Sequence, residues 1–353
     1  MQEVLKYVTG IDVAKKELVV CLGKVYADLT IELCAHKTFI NDAKGFDALV
    51  LWARKYAGEQ GLVRYVMEAT GVYHEPLAYF LDGRSYEVSI IMPNKISNYM
   101  RTLDIKTITD KTASEAIARF GLERKLDLWK KPKEVYKKLK QLVRERDQIV
   151  VERTAIKNQL HAEESEAWPN ERTIERLKER ITILDKQEKE VNRDMDDFAS
   201  KDTEAKGSVK LLCSIPGVGK LTAITVLAET NGFDQIRNRR QLASYAGFDI
   251  KEKQSGTSVR GKARISKRGN KYLRKAMFLP AMAAIRTDER ARAIFTRLVS
   301  KHGIKMKAAV AVQRKLLEMC FTIFKTKTKY DNAYLQTQTI NTELTPEQQM
   351  ANP

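Results

Sequence analysis

The feature that most limits what this chain can become lies in its middle. Apolar residues recur at Val135, Leu139, Leu142, Ile149, Ile156 and Leu160, and again at Ile174, Leu177, Ile181, Leu184, Val191 and Met195. That heptad spacing belongs to helices buried along one stripe. Arg146 and Arg153 interrupt the first run and Glu188 the second, and Trp168-Pro169-Asn170 lies between them. The spacing predicts two long helices joined near Trp168 as an antiparallel hairpin or coiled coil. A spacer or dimerisation arm is what such a hairpin supplies, with nucleic-acid contact by its basic face as an addition.

The hairpin divides the 353 residues into regions of different character. Ahead of it, Tyr7 to Asp12, Leu18 to Leu22 and Thr30 to Leu33 read as a three-strand meander. An amphipathic stretch (Phe46, Leu49, Val50, Trp52, Ala53) follows, then a strand at Leu62 to Met67, a helix near Pro76 to Leu81, a strand at Glu87 to Met92 and helical patterning over Asp110 to Arg124. Three strands followed by alternating helices and strands predict a mixed α/β sheet. The expected organisation is an α/β domain at 1–125, the helical connector at 126–206, a mainly helical domain at 207–330 and a polar, disordered tail at 331–353.

Lys and Arg number 63 against 45 Asp and Glu, a net charge of +18, so a polyanionic partner is expected. The 43% hydrophobic and 8% aromatic content excludes a wholly disordered basic tail protein. The longest nearly unbroken apolar stretch, Ala276 to Ile285, is bounded by Lys275 and Arg286 and falls far short of the ~20 residues a membrane crossing needs. No membrane span is expected. The first residues lack a basic segment followed by an apolar one, so no secretory signal is read and a cytoplasmic location is expected. Cys21, Cys34, Cys213 and Cys320 stand singly, which supports neither disulfides nor a zinc site and suits small buried hydrophobes.

Three acidic residues stand where strands end. Asp12 closes the first predicted strand, Glu68 the fourth, and Asp110 opens the helix after the fifth. Each alone reads as a cap or turn residue. Together they are also the set that would converge at one sheet edge around Mg²⁺ or Mn²⁺, as phosphoryl-transfer enzymes require. Asp12 and Glu68 sit in apolar strands, where an unpaired charge is costly.

Ile215-Pro216-Gly217-Val218-Gly219-Lys220 before a helical run has the form of a helix-hairpin-helix element. Gly217 and Gly219 would let backbone N–H groups approach a DNA phosphate, with Lys220 beside them; the alternative is a purely structural helical hairpin. It is not a Walker loop, because Ser214 and Leu221 occupy positions that GxxxxGK[ST] assigns otherwise. Residues Lys251 to Lys275 then carry ten Lys or Arg and one acid, Glu252. Arg260, Lys262, Arg264, Lys267, Arg268, Lys271 and Arg274 are candidate phosphate contacts. Ser255, Ser258 and Ser266 lie among them, each either a phosphate-contacting hydroxyl or a nucleophile whose attack the cations would stabilise.

The combination of Gly10-Ile11-Asp12-Val13-Ala14-Lys15, Met67-Glu68-Ala69-Thr70-Gly71-Val72-Tyr73, Pro93-Asn94-Lys95, Thr109-Asp110, Ile215-Pro216-Gly217-Val218-Gly219, Ser255-Gly256 and Ser266-Lys267-Arg268-Gly269-Asn270 resembles the transposases of insertion-sequence family one hundred and ten. The resemblance runs through nearly the whole chain in the same order. It implies an RNase H/RuvC-like first domain, a coiled-coil connector and a carboxy-terminal serine domain. It also implies a structured non-coding bridge RNA whose loops pair with donor and target DNA, and homodimers pairing into a tetramer with composite active sites. Asp12, Glu68 and Asp110 match the family's first three acidic positions and Ser255 its nucleophile, which forms a phosphoserine assisted by metal-bound carboxylates.

The fourth acidic position falls on Ala113, within Thr109-Asp110-Lys111-Thr112-Ala113-Ser114. Loss of that carboxylate removes a ligand and its charge, so a catalytically impaired chain is expected. Glu115 lies about 200° further round the helix and is a poor substitute. Two other readings stay open: a RuvC-type structure-specific nuclease in which water attacks, and a non-catalytic RNA- or DNA-binding scaffold.

Overall fold

Alternation of apolar side chains builds the first sheet. In β1 (Val4–Val13), Tyr7, Ile11 and Val13 join one apolar cluster while Val8 joins another on the opposite face, the period-two pattern of a strand covered on both sides. The computed structural model describes residues 3–58, 61–69, 71–103, 105, 107–252, 254–255, 259–261 and 264–331, with the side chains of 254, 255, 259 and 260 left aside. The expected disordered tail and Lys262 therefore lie outside the described residues, Asp331 excepted. By contacts the chain divides into two units, Met1–Lys131 and Pro132–Pro353.

In the first unit, β2 (Glu17–Tyr26) and β3 (Ile31–Ile40) run antiparallel beside β1, and β4 (Val63–Glu68) and β5 (Glu87–Ile91) run parallel to it, in the order β3-β2-β1-β4-β5. Parallel neighbours need crossovers, supplied by α1 (Ala43–Ala57) and α2 (Glu75–Asp82). Phe46, Leu49, Leu77 and Leu81 of these helices pack on Ile11, Leu18, Tyr65 and Met67. The other face is covered by α3 (Pro93–Met100) and α4 (Asp110–Glu123), through Ile96, Tyr99, Ala116, Ile117 and Phe120 against Val8 and Val66. Helix α3 was not expected from periodicity; its signal is a proline at the first helical position. β2 and β3 extend beyond the expected runs, β3 through Ala35-His36-Lys37-Thr38, whose polar side chains suit an edge strand.

α4 lies directly on β1 because β1 has no side chain at Gly10. A Cβ there would stand 2.2 Å from the Ala118 nitrogen and 2.4 Å from the Ser114 carbonyl oxygen. Thr109 caps α4 by accepting from the Thr112 N–H, and the Thr112 hydroxyl accepts from the Thr109 N–H.

The second unit is mainly helical. The helices α5 (Glu134–Glu164) and α6 (Glu171–Lys201) are 31 residues each and lie side by side in opposite directions, Arg146 meeting Asn192 while Arg153 meets Asp185. The residues that break the heptads answer one another, since Arg146 and Arg153 both pair with Glu188. Among the described residues seven helices follow: α7 (Thr203–Leu212), α8 (Lys220–Glu229), α9 (Arg239–Ala246), α10 (Lys271–Ala276), α11 (Phe278–Thr287), α12 (Glu289–His302) and α13 (Lys305–Thr326). One continuous apolar cluster runs from Tyr136 and Leu139 through Leu212, Leu227 and Phe233 to Phe324. The stripe of the long helices is thus part of the same core as the helices after residue 207.

Among the described residues no helix is long and apolar enough to cross a membrane. Cys21 and Cys320 are the buried hydrophobes expected, but Cys34 is half-buried and Cys213 exposed. Cys213 caps the end of α7, where helix geometry leaves the residue half outside. A Gly10→Ala substitution should cost roughly 3 kcal/mol, because neither backbone can yield cheaply to the added methyl; urea unfolding of the two proteins measures it.

Candidate active site

The sheet brings two of the expected carboxylates side by side. β1 and β4 are parallel with Gly10 opposite Val66 and Ile11 opposite Met67, so one step further along both strands Asp12 lies beside Glu68. Side-chain alternation puts Asp12 on the face of Val8 and Gly10, and Glu68 on the face of Val66, which is the face that α4 covers. Asp110 is the first residue of α4 and Ala113 stands one turn further on, alongside Ser114 and Ile117, both buried. Asp110, Ala113, Ser114 and Ile117 are spaced as one helical face.

The electrostatics record the convergence. Asp12 is half-buried and its carboxyl is pushed up to about 6, first by burial and then by the neighbouring charges of Asp110 and Glu68. An all-oxygen donor set of like charges suits a hard divalent cation. Yet among the described residues no three His, Cys, Asp or Glu close into a metal-holding group, and the turn of α4 that faces the strands offers the methyl of Ala113. Glu115 does not make up the loss: its carboxylate faces His36 of β3, 3.0 Å from Nε2.

Ser255 belongs to the second unit, so carboxylates and serine come from different units. It lies in a short strand, β7 (Gln254–Ser255), opposite Val259 of β8 (Val259–Arg260). This pair forms the outer part of a hairpin whose base is β6 (Ile250–Lys251) paired with β9 (Arg264–Ile265). Arg264, Lys267, Arg268 and Lys271 are exposed.

The base of the hairpin is fastened through Glu229, Arg144, Asn270 and Tyr245, to which the sequence reading gave no role, and through Ser266, which it offered as a phosphate-contacting hydroxyl or nucleophile. Glu229, at the end of α8, has a fully buried side chain. Arg144 of α5 grips both its oxygens, at 2.9 and 3.1 Å, and the Asn270 amide donates to it at 2.6 Å. Asn270 in turn caps α10 by accepting from the Tyr272 and Leu273 N–H groups, and its own N–H donates to the Tyr245 carbonyl. The Tyr245 hydroxyl donates to the Glu229 carbonyl at 2.9 Å, and Arg144 stacks over Tyr272. Ser266 adds a second fastening by donating to the Asp249 carboxylate at 2.6 Å. The legible signal for Glu229 was a lone carboxylate at the end of the apolar run Leu221 to Ala228.

Three of the expected phosphate contacts also have neighbours inside the unit. Gly217 has φ +83°, and a Cβ there would sit 2.4 Å from the Pro280 carbonyl of α11, so its missing side chain serves packing. Lys220 pairs with Asp196 at 2.7 Å. Arg274 donates from Nη1 to the Ala246 carbonyl at 2.7 Å, satisfying the last turn of α9. Gly219 stays open, with nothing where its Cβ would be.

Residues 9–168 match a family model described as a transposase, and residues 209–296 match one described as the transposase IS116/IS110/IS902 family. The chain is 29% identical over 326 residues to a pilin gene-inverting protein of Moraxella bovis, covering 91% of this chain and 97% of that protein. It is 31% identical over 129 residues to an insertion element IS110 uncharacterized 43.6 kDa protein of Streptomyces coelicolor, covering 36% of this chain and 32% of that one. Among solved structures, Thermus thermophilus RuvC aligns with a TM-score of 0.28 at 12% identity, covering 35% of this chain and 99% of RuvC.

Because burial and like charges raise the Asp12 carboxyl, the folded state holds that proton more tightly than the unfolded chain, and stability is lost as pH rises from the ordinary carboxylate range through about 6. Asp12→Asn should therefore melt a few degrees above the parent at pH 8 in chelator, with the advantage shrinking below pH 5; scanning calorimetry at both pH values checks it. Arg144→Ala strands a buried carboxylate and should cost about 2–4 kcal/mol, read from denaturant unfolding, with faster proteolysis within 250–270.

Proposed function

Because this chain belongs to the IS116/IS110/IS902 family of transposases, we propose that it is an RNA-guided DNA recombinase that exchanges strands through a phosphoserine on Ser255. The observation that carries the reading is the convergence of Asp12, Glu68 and Asp110 at one end of the sheet, read together with a serine in a basic hairpin of the other unit. The first unit is read as an RNase H/RuvC-like domain. The Moraxella bovis relative, a pilin gene-inverting protein, supports DNA rearrangement as the reaction class.

In this mechanism the Ser255 hydroxyl oxygen attacks a backbone phosphorus. The bond from phosphorus to one bridging oxygen breaks, that oxygen takes up a proton, and the enzyme holds the strand as a phosphodiester until the hydroxyl of another strand displaces the serine. Lys267, Arg268 and Lys271, exposed beside the hairpin, neutralise the phosphate as its charge develops. Glu229, Arg144 and Asn270 hold the base of the hairpin in place. Mg²⁺ or Mn²⁺ held by Asp12, Glu68 and Asp110 would supply charge neutralisation at the phosphate oxygens.

The partners of this reading are a structured bridge RNA and donor and target duplex DNA, which a protein with net charge +18 suits. In guided recognition the sequence is read by base pairing and the protein holds backbones. The long helices act as a coiled-coil dimerisation arm and dimers pair into a tetramer, so that the acidic unit of one subunit meets the serine of another. Action on the bacterial nucleoid in the cytoplasm follows. With Ala113 at the fourth acidic position the chain works as an impaired form, and that residue also favours a second reading, a nucleic-acid-binding scaffold.

Ala113→Asp should raise DNA cleavage by on the order of a hundredfold, restoring the missing ligand, with a covalent protein–DNA adduct visible on denaturing gels. In that background Ser255→Ala should abolish both cleavage and adduct. Cleavage that persists without an adduct would instead mark a water-using nuclease, and binding without cleavage in Ala113→Asp would mark the scaffold.

A further inference from the structure

The first unit carries a basic groove that the catalytic reading does not use. It lies on the α4 face of the sheet, between α3, the end of α4 and the edge strand β5, and encloses about 780 Å³. Lys95, Asn98, Thr102, Arg124 and Lys125 line it, with Asp127 as the one carboxylate. Lys95, Arg124 and Lys125 are exposed, and none takes part in the ion pairs found among the described residues. Glu123, next to them in sequence, is occupied by the Tyr99 hydroxyl at 2.5 Å.

This concentration is local. Residues 1–131 hold nineteen Lys and Arg against seventeen Asp and Glu, so the first unit is nearly balanced and the large excess lies beyond it. A neighbouring hollow of about 400 Å³ on the other side of Arg124 and Lys125 is different. There Arg64 is paired with Glu87 at 2.6 Å, and Lys6 donates to the Gly121 and Arg124 carbonyls. Three exposed cations against the single lining carboxylate of Asp127 leave the open groove net positive, a site for a polyanion.

The geometry points to a nucleic-acid backbone site at Lys95, Arg124 and Lys125, separate from the carboxylates and from the serine hairpin. It rests on the reading above only in taking nucleic acid as the ligand. α4 is the ruler: Asp110 begins it and Arg124 follows its last residue, and at about 1.5 Å per residue the groove stands roughly 20 Å from the carboxylates. That is about six base steps of B-form DNA. A strand seated in the groove is thereby held along α4, with the phosphate to be cut at the helix's other end.

The test uses the 353-residue chain and the salt dependence of binding, which counts phosphate contacts whether or not the protein cuts. A Lys95→Gln, Arg124→Gln, Lys125→Gln variant is compared with the parent on two probes, a 30-base-pair DNA duplex and an RNA stem-loop. On at least one probe the slope of log affinity against log salt should fall by about two, with roughly tenfold weaker binding near 0.1 M salt. Loss on the DNA probe alone assigns the groove to DNA, and loss on the RNA alone assigns it to RNA. Unchanged slopes on both probes overturn the site. So does an equal loss in a Lys44→Gln, Lys55→Gln control, whose exposed lysines lie on α1 across the sheet. All three groove side chains are exposed, so a melting temperature within about 2 °C of the parent's is expected. Failure of the adduct experiment would leave this result standing, and the reverse also holds.

Discussion

The carboxylate-bearing end of the first unit hangs on a contact between two backbones. β1 has no side chain at Gly10, and α4 occupies that space with the Ala118 nitrogen and the Ser114 carbonyl. A helix seated this closely has no freedom to slide, so the position of Ser114 determines that of Asp110 one turn earlier. Parallel pairing of β1 with β4 aligns Asp12 with Glu68, and the three carboxylates end up close enough to raise one of them to about 6. The fold thus uses packing energy to hold like charges together, an arrangement that a proton on Asp12 or a bound counter-charge would relieve.

The second unit solves the opposite problem, since its basic hairpin must be held without neutralising its exposed cations. The buried Glu229 does this from beneath, with Arg144, Asn270 and Tyr245 each making a defined hydrogen bond. A buried carboxylate is tolerable because its oxygens are satisfied. The network ties α5, α8, α9 and α10 to one point, so the hairpin springs from a rigid base. The same economy appears on α5 and α6, where charges that interrupt the apolar stripes pair with each other.

Much of this organisation was legible beforehand. The meander and the alternating elements after it follow from alternation, and the two long helices from their heptads. The acidic positions stood out because charges at the ends of apolar strands are expensive. What escaped were features whose signal is a partner far away in sequence. Glu229 looks like a charge at a helix end until Arg144 and Asn270 arrive, 85 and 41 residues away. Gly217 and Lys220 read as phosphate contacts from a helix-hairpin-helix motif and Arg274 from a basic run, and only the structure shows their neighbours α11, Asp196 and the end of α9.

The sequence by itself determined the local periods, the placement of acids at strand ends, the density of cations from Lys251 to Lys275 and the alanine at position 113, because these are properties of neighbouring residues. Only the tertiary structure decided which charges are spent and which are left over. A lysine or arginine is available to a ligand when no carboxylate or carbonyl reaches it first, and that depends on which distant helix packs beside it. For this reason Lys220 has Asp196 beside it while Lys95 and Lys125 stand in an open groove.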